Sequence, residues 1–93
     1  MTIEQMRYFI AVATYESFSE AAVKCSISQS SISKHVAAIE REVGTQLLNR
    51  SRRKVTLTST GVIFLGYAQK LVNSYDRMQR DMQACVQNSG QSL

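Results

Sequence analysis

Two groups of side chains could bind a polyanion. The first presents amide, hydroxyl and amino groups at helical spacing, and it consists of Gln29, Ser30, Ser33 and Lys34. The second is a basic run over residues 50–54 that includes Arg50 and Arg53. Glutamine can pair with an adenine edge, hydroxyl and amino groups reach base edges or phosphates, and arginines fit narrow minor grooves. These residue types favour contact with duplex DNA. The alternatives are plain solvent exposure for the first group and a solvated turn for the second.

The sequence lacks the groups of side chains that usually support catalysis or metal binding. His35 is the only histidine, and no acidic pair is spaced to make it a general base or a metal ligand. The neighbouring serines have no glycine-rich phosphate loop beside them, and Cys25 and Cys85 match no metal-binding spacing. We therefore expect no enzymatic activity, no metal and no cofactor. His35 is expected to be a packing or surface residue, and Cys25 a small core residue.

The residues around the first group predict the helix that positions it. Apolar side chains recur there at intervals of four, three and four residues, and they gather into one stripe that must be buried. These side chains are Ile32, Val36, Ile39 and Val43. The helix is expected from about Ser28 to Val43, with Ser28 as its N-cap and Gly44 as a left-handed C-terminal cap. Ser30 and Lys34 then lie on the opposite side with Ala37 and Arg41, and Gln29 and Ser33 flank them.

Two helices are predicted upstream. One covers residues 3–15 and starts with a capping box formed by Thr2 and Gln5. A shorter one follows either Ser17 or Ser19, both of which could cap it. Small residues allow close packing of this short helix, and a three-residue turn leads into the next one. The pattern is a helix-turn-helix.

The basic run lies in a predicted β-hairpin. Residues 55–57 combine β-branched and apolar side chains in a way typical of a short strand, and a second short strand is expected before the run. A hairpin beside a helix-turn-helix is a wing. Thr58 is expected to cap a last helix over residues 59–86, and the polar tail 87–93 is expected to be disordered.

The last helix carries an apolar heptad seam that a body of this size is too small to bury along its whole length. The spacing alternates between four and three residues, and the members are Phe64, Ala68, Leu71, Tyr75, Met78, Met82 and Cys85. A second copy of the chain is the simplest partner for the seam. We therefore expect a homodimer formed through this helix, with packing inside one chain as the alternative.

Length and composition fit one small domain. The chain has 93 residues, of which 44% are hydrophobic, and a formal net charge of +4. Four basic residues fall within 50–54, while charges elsewhere nearly balance. No run approaches the roughly 18 apolar residues of a membrane span, so no membrane partner is expected. The cysteine usage and the lack of a signal peptide favour a reducing cytoplasm.

Together these motifs resemble the N-terminal DNA-binding domain of LysR-type transcriptional regulators, over residues 3 to about 86. The densest part is FxxVAxxxSFSxAA, which runs from Phe9 to Ala22. Further matching motifs are SxSQ at 26–29, SxxxxxIE at 33–40, VG at 43–44, the wing residues 47–50 and 53–58, and Gly61.

The resemblance implies a mainly α fold. It implies that residues 1–58 form a winged helix-turn-helix with a three-helix core and a two-stranded wing, and that a linker helix pairs antiparallel in a homodimer. By the same resemblance, the third helix is expected to enter the major groove and the wing to lie over the adjacent minor groove. DNA contacts are expected from Ser28, Gln29, Ser30, Ser33, Lys34, Arg50 and Arg53. Family members often carry Pro at position 30 and Ala at position 31, so a base preference does not carry over.

Members of this family also have a C-terminal effector-binding domain, which is absent from these 93 residues. The expected function is therefore sequence-specific binding of double-stranded DNA by a fragment or a truncated regulator. A small-molecule effector is expected only if the full-length protein has that further domain. The competing hypothesis is a coiled-coil interaction module whose basic patch binds an acidic partner or an anionic membrane, and charge alone does not exclude it.

Overall fold

The computed structural model describes residues 1–51 and 53–92, with side chains described to residue 88. Four helices and one two-stranded sheet follow one another along the chain. They are α1 (Ile3–Tyr15), α2 (Phe18–Cys25), α3 (Gln29–Val43), β1 (Leu48–Arg50), β2 (Val55–Leu57) and α4 (Ser59–Ser92). This is the predicted three-helix core with a wing and a long final helix, and the fold class is confirmed.

Local hydrogen bonds fix the start of each helix. Thr2 and Gln5 form the reciprocal capping box at α1. Ser17, one of the two candidates, caps α2, since its hydroxyl accepts from the backbone N–H of Glu20 at 3.1 Å. The Thr58 hydroxyl accepts from the N–H of Gly61 at 2.9 Å at the start of α4. Each cap satisfies a backbone donor that has no partner inside its helix.

Two residues in the left-handed region end the helices of the helix-turn-helix. Ser26 has φ 58° after α2, and its N–H donates back to the carbonyls of Ala22 and Val23. Gly44 has φ 92° after α3, and its N–H donates to the Glu40 carbonyl at 2.8 Å. Glycine adopts this conformation without steric cost. The chain therefore reverses sharply on both sides of α3.

The core lies between α1, α2, α3 and the base of the wing. Its largest fully buried side chains are Phe9, Val12, Ile32, Val36, Ile39, Leu47 and Leu48. Three residues of the predicted α3 stripe are therefore buried, but the fourth is not. Val43 remains 40% exposed, because the last turn of α3 extends past the edge of the core.

The wing is an antiparallel hairpin that is attached to the body at its base. Leu48 pairs with Leu57 and Arg50 with Val55. The N–H of Val55 donates to the carbonyl of Glu16 at 3.0 Å, which joins β2 to the end of α1. Ser51 closes the hairpin through a 2.6 Å hydrogen bond to the Lys54 carbonyl. The predicted connection also included Arg52, which lies outside the described residues.

Helix α4 packs on the body with its first half and extends away from it with its second. The Phe64 ring meets Phe9 edge to face, with ring centroids 4.9 Å apart, and Ala68 and Val72 are buried. The molecule measures 58 × 25 × 19 Å, and 34 helical residues account for about 50 Å of that length. The helix continues to Ser92, six residues beyond the end expected at residue 86. Leu93 lies outside the described residues.

Candidate nucleic-acid interface

The first turns of α3 present the polar group predicted from the sequence. Gln29, Ser30 and Lys34 are exposed, and Ser33 is half-buried beside them. The first turn of α3 contains no acidic side chain. The positive end of the helix dipole is therefore not offset by a local carboxylate, which favours an anion near these residues.

Ser28 has a structural task in this group. Its hydroxyl accepts a hydrogen bond from the backbone N–H of Ser31 at 3.1 Å, and it lies 3.2 Å from the hydroxyl of Ser30. Ser28 is therefore the N-cap of α3, as the sequence indicated, and it holds Ser30 at the leading edge of the helix.

The two wing arginines have different surroundings. The Arg50 guanidinium lies 3.4 Å from a carboxylate oxygen of Glu40 and 4.8 Å from the centre of the Phe18 ring. Arg53 is exposed where the hairpin turns. Next to it, the Lys54 amino group lies 3.5 Å from the Glu16 carboxylate. Arg50 is therefore positioned by neighbouring elements, whereas Arg53 projects from the wing.

One open depression brings residues of α3 and the wing together. Gln29 and Arg53 both line it, and its volume is about 300 Å³. The hydroxyl-bearing residues Ser17 and Ser19, at the start of α2, line it as well. The sequence indicated these serines only as helix caps. Their place beside Gln29 depends on the angle between α2 and α3, which no local pattern encodes.

A second, larger depression lies between the C-terminal half of α3 and β1. It has a volume of about 760 Å³, and Glu40, Arg41, Asn49 and Arg50 are among its lining residues. Arg50 and Arg53 thus face different depressions, although the sequence places them in one basic run. Asn49 was not singled out from the sequence, because a lone polar residue in a short strand carries little signal.

His35 and Cys25 lie apart from this surface and serve packing. The Nδ1 of His35 is 3.3 Å from the side-chain amide of Gln5, and its ring centre is 5.0 Å from that of Tyr8. His35 therefore connects α3 to α1. Cys25 is half-buried against the core, and burial raises the pKa of its thiol. Both positions agree with the predicted packing roles.

The residues predicted for dimerisation divide into two sets. The Phe64 ring contacts Phe9 of its own chain and Ala68 is buried, as in the alternative of packing inside one chain. Leu71, Tyr75, Met78 and Met82 are exposed.

Two further residues that the predicted seam omitted, Ile63 and Tyr67, are each 63% exposed. At about 100° per residue they fall on one face of α4 with three of the exposed seam residues. We call this face the α4 stripe, and it consists of Ile63, Tyr67, Leu71, Met78 and Met82.

The three-helix core, the hairpin wing and the long final helix together define a winged helix-turn-helix domain. The family model described as "Bacterial regulatory helix-turn-helix protein, lysR family" matches residues 3–62. The chain therefore belongs to the LysR family, and the resemblance noted from the sequence motifs is confirmed.

Similar proteins support this assignment. The HTH-type transcriptional regulator TfdT of Cupriavidus pinatubonensis is 37% identical over 93 residues, which is the whole of this chain and 41% of TfdT. The HTH-type transcriptional regulator BenM of Acinetobacter baylyi is 41% identical over 78 residues, covering 84% of this chain and 26% of BenM. The chain thus spans less than half the length of these curated relatives.

The fold also matches a solved structure closely. The crystal structure of the BenM_DBD/catB site 1 DNA complex superimposes with a TM-score of 0.89 at 37% identity, covering 92% of this chain and 97% of that one. Within the described part of the chain, no helix combines the length and the apolar character needed to cross a membrane.

Proposed function

We propose that this chain is the DNA-binding part of a LysR-type transcriptional regulator and that it binds specific double-stranded DNA sequences as a homodimer. Helix α3 enters the major groove, and the wing lies at the adjacent minor groove. We assign the chain no catalytic step and no cofactor. Because genomic DNA is the target, we place its action in the bacterial cytoplasm, at the nucleoid.

The observation that carries the proposal is the exposed leading edge of α3. Gln29, Ser30 and Lys34 are exposed together at a helix N-terminus that has no acidic residue in its first turn. Gln29 shares a depression with Arg53 from the wing. Hydrogen-bonding groups that fit base edges therefore lie next to a cation that fits a phosphate. The similarity to a domain crystallised with DNA supports the same conclusion.

The proposed roles follow from the chemistry of each side chain. Gln29 reads a base edge, because its amide can both donate and accept. Ser30, Ser33 and Lys34 contact base edges or phosphates, while Ser28 mainly orients the helix start that presents them. Arg53 contacts the backbone or the minor groove beside the wing. Arg50 contacts a phosphate from the position that Glu40 and Phe18 define.

The α4 stripe supports the homodimer. Beyond Asp76 the helix leaves the body, yet Met78 and Met82 continue the apolar face into solvent. Contiguous apolar faces of this kind usually mark an interface. A second copy of the chain presents the same face. A dimer with two-fold symmetry would bury the α4 stripes of both copies against each other and would place their two α3 helices on two half-sites of the DNA.

We propose that an effector domain, where the full-length protein has one, follows α4, since the relatives are longer than this chain. A small-molecule effector would bind to that domain, and we assign none to the residues described here.

Selection of bound duplexes from a random pool, followed by mobility-shift titration at several salt concentrations, tests the proposal. We expect a preferred sequence with two related half-sites, and an affinity that falls steeply as salt rises. Equal affinity for all duplexes would contradict sequence-specific binding. Preference for an acidic peptide or anionic vesicles over every duplex would instead favour the interaction-module hypothesis.

A further inference from the structure

We propose that Glu40 is a positioning residue that holds Arg50 for DNA contact and thereby increases discrimination between duplexes rather than overall affinity. This inference rests on the proposed function. Glu40 is an acidic residue at the edge of the surface that α3 and the wing are proposed to present to DNA.

Glu40 ties the start of the wing to α3. Its side chain is only 14% exposed. One carboxylate oxygen accepts hydrogen bonds from the backbone N–H groups of Leu47 at 2.8 Å and Leu48 at 3.2 Å. These two residues lead into β1, so the carboxylate fixes where the first strand of the wing begins relative to α3.

The other oxygen of the same carboxylate faces Arg50. The distance from Nη2 of Arg50 to Oε1 of Glu40 is 3.4 Å, and the guanidinium carbon lies 4.8 Å from the centre of the Phe18 ring. An anion from α3 and an aromatic face from α2 thus hold one guanidinium from β1. The Arg50 side chain is still 49% exposed, so part of it can reach a ligand.

A carboxylate in this position has opposite effects on specific and non-specific binding. Its negative charge repels any phosphate backbone, which weakens binding to all sequences. It also orders a long side chain before DNA arrives, which lowers the entropy lost when the guanidinium binds in one geometry. Only a duplex that meets the guanidinium in that geometry benefits. The net result is a larger difference between a preferred and an unrelated duplex.

Glu40→Gln separates the two functions of this side chain. The amide oxygen can still accept from Leu47 and Leu48, while the charge that attracts Arg50 is gone. Affinities are measured for the selected duplex and for a scrambled duplex of equal length and composition. We expect the ratio of the two affinities to fall about threefold to fivefold, while binding to the scrambled duplex does not weaken. In an Arg50→Ala background the same substitution should leave the ratio unchanged.

Glu42→Gln is the matched control. It removes the same charge from α3 two residues away, where the carboxylate faces the N-terminal amino group instead of the wing. Both affinities should change by the same factor in this variant. The inference would be overturned if Glu40→Gln kept the wild-type ratio of the two affinities. It would also be overturned if Glu40→Gln lowered that ratio by the same factor in the Arg50→Ala background.

A DNA-free measurement completes the test. The Arg50 Nε–H signal, followed by NMR relaxation, should report an ordered side chain in the wild type and a mobile one in Glu40→Gln and Phe18→Leu. Unchanged order in both variants would overturn the positioning role even if DNA binding is selective. A wild-type chain without any duplex preference would instead overturn the proposed function, and with it the DNA role of Glu40, whatever the NMR result.

Discussion

Arg7 of α1 and Asp76 of α4 form a salt bridge with two hydrogen bonds. Nη2 of Arg7 lies 2.5 Å from Oδ1 of Asp76, and Nη1 lies 3.3 Å from Oδ2. The guanidinium carbon is also 6.0 Å from the centre of the Tyr75 ring. Both charged side chains are more than a third exposed, so the bridge adds little stability at high salt. Its place, where α4 leaves the body, lets it orient the distal half of the helix.

We predict that Asp76→Asn lowers thermal stability slightly at neutral pH and that the difference disappears in acid. The hydrogen bond from Arg7 lowers the pKa of Asp76 below its ordinary value of 3.8. The folded state therefore gains stability above that value and loses it as the pH falls through the lower folded-state pKa. Thermal unfolding of both proteins across this range is the measurement. Asp81→Asn, on an exposed part of α4, is the control. An equal difference in melting temperature at every pH would contradict this prediction.

Gly61 is expected to tolerate no side chain. A Cβ placed there would overlap the backbone carbonyl of Leu47 and would lie 3.2 Å from Leu57. Gly61→Ala should therefore cost about 1–3 kcal/mol, as overpacking does, because backbone must move. Gly66→Ala on the same helix meets nothing within 4 Å and should stabilise by about 0.5–1 kcal/mol. Urea unfolding of both variants measures the contrast. Equal effects at the two glycines would show that the approach of Leu47 does not restrict position 61.

Gln29 and Arg53 should affect DNA binding in different ways. Arg53→Ala should weaken binding to all duplexes and reduce the slope of log affinity against log salt by about one. Gln29→Ala should instead relax the preference between sequences by about 1–3 kcal/mol at one base position, with the slope unchanged. Titrations of a duplex panel at several salt concentrations measure both. Identical behaviour of the two variants would show that this division of roles is wrong.

Substitutions at Ile63 and Val62 form a matched pair of variants that tests whether the homodimer uses the α4 stripe. The two adjacent side chains are 63% and 59% exposed, but only Ile63 lies on the α4 stripe. Ile63→Asp should raise the dimer dissociation constant about tenfold or more, because it buries a charge in an apolar interface. Val62→Asp should leave that constant near its wild-type value. Sedimentation at a series of concentrations measures it. Dissociation by Val62→Asp alone would place the interface on another face of α4.

The sequence determined the elements whose signals are local. The α3 cap at Ser28 and the α4 cap at Thr58 each use a backbone donor three residues away. Gly44 ends α3 through its own left-handed backbone. Because these interactions span a few residues, a pattern of residue types was sufficient to predict them, along with the helix-turn-helix and the wing.

Only the tertiary structure decided which faces are covered. The heptad spacing in α4 does not determine which of several neighbouring faces of the helix packs on the body. The contact between Phe64 and Phe9 shows which face does so. That choice leaves Ile63 and Tyr67 exposed. The surroundings of Arg50 also depend on the tertiary structure, because its neighbours Glu40 and Phe18 belong to different helices. Side-chain periodicity is a property of one helix, whereas burial depends on how that helix packs against the others.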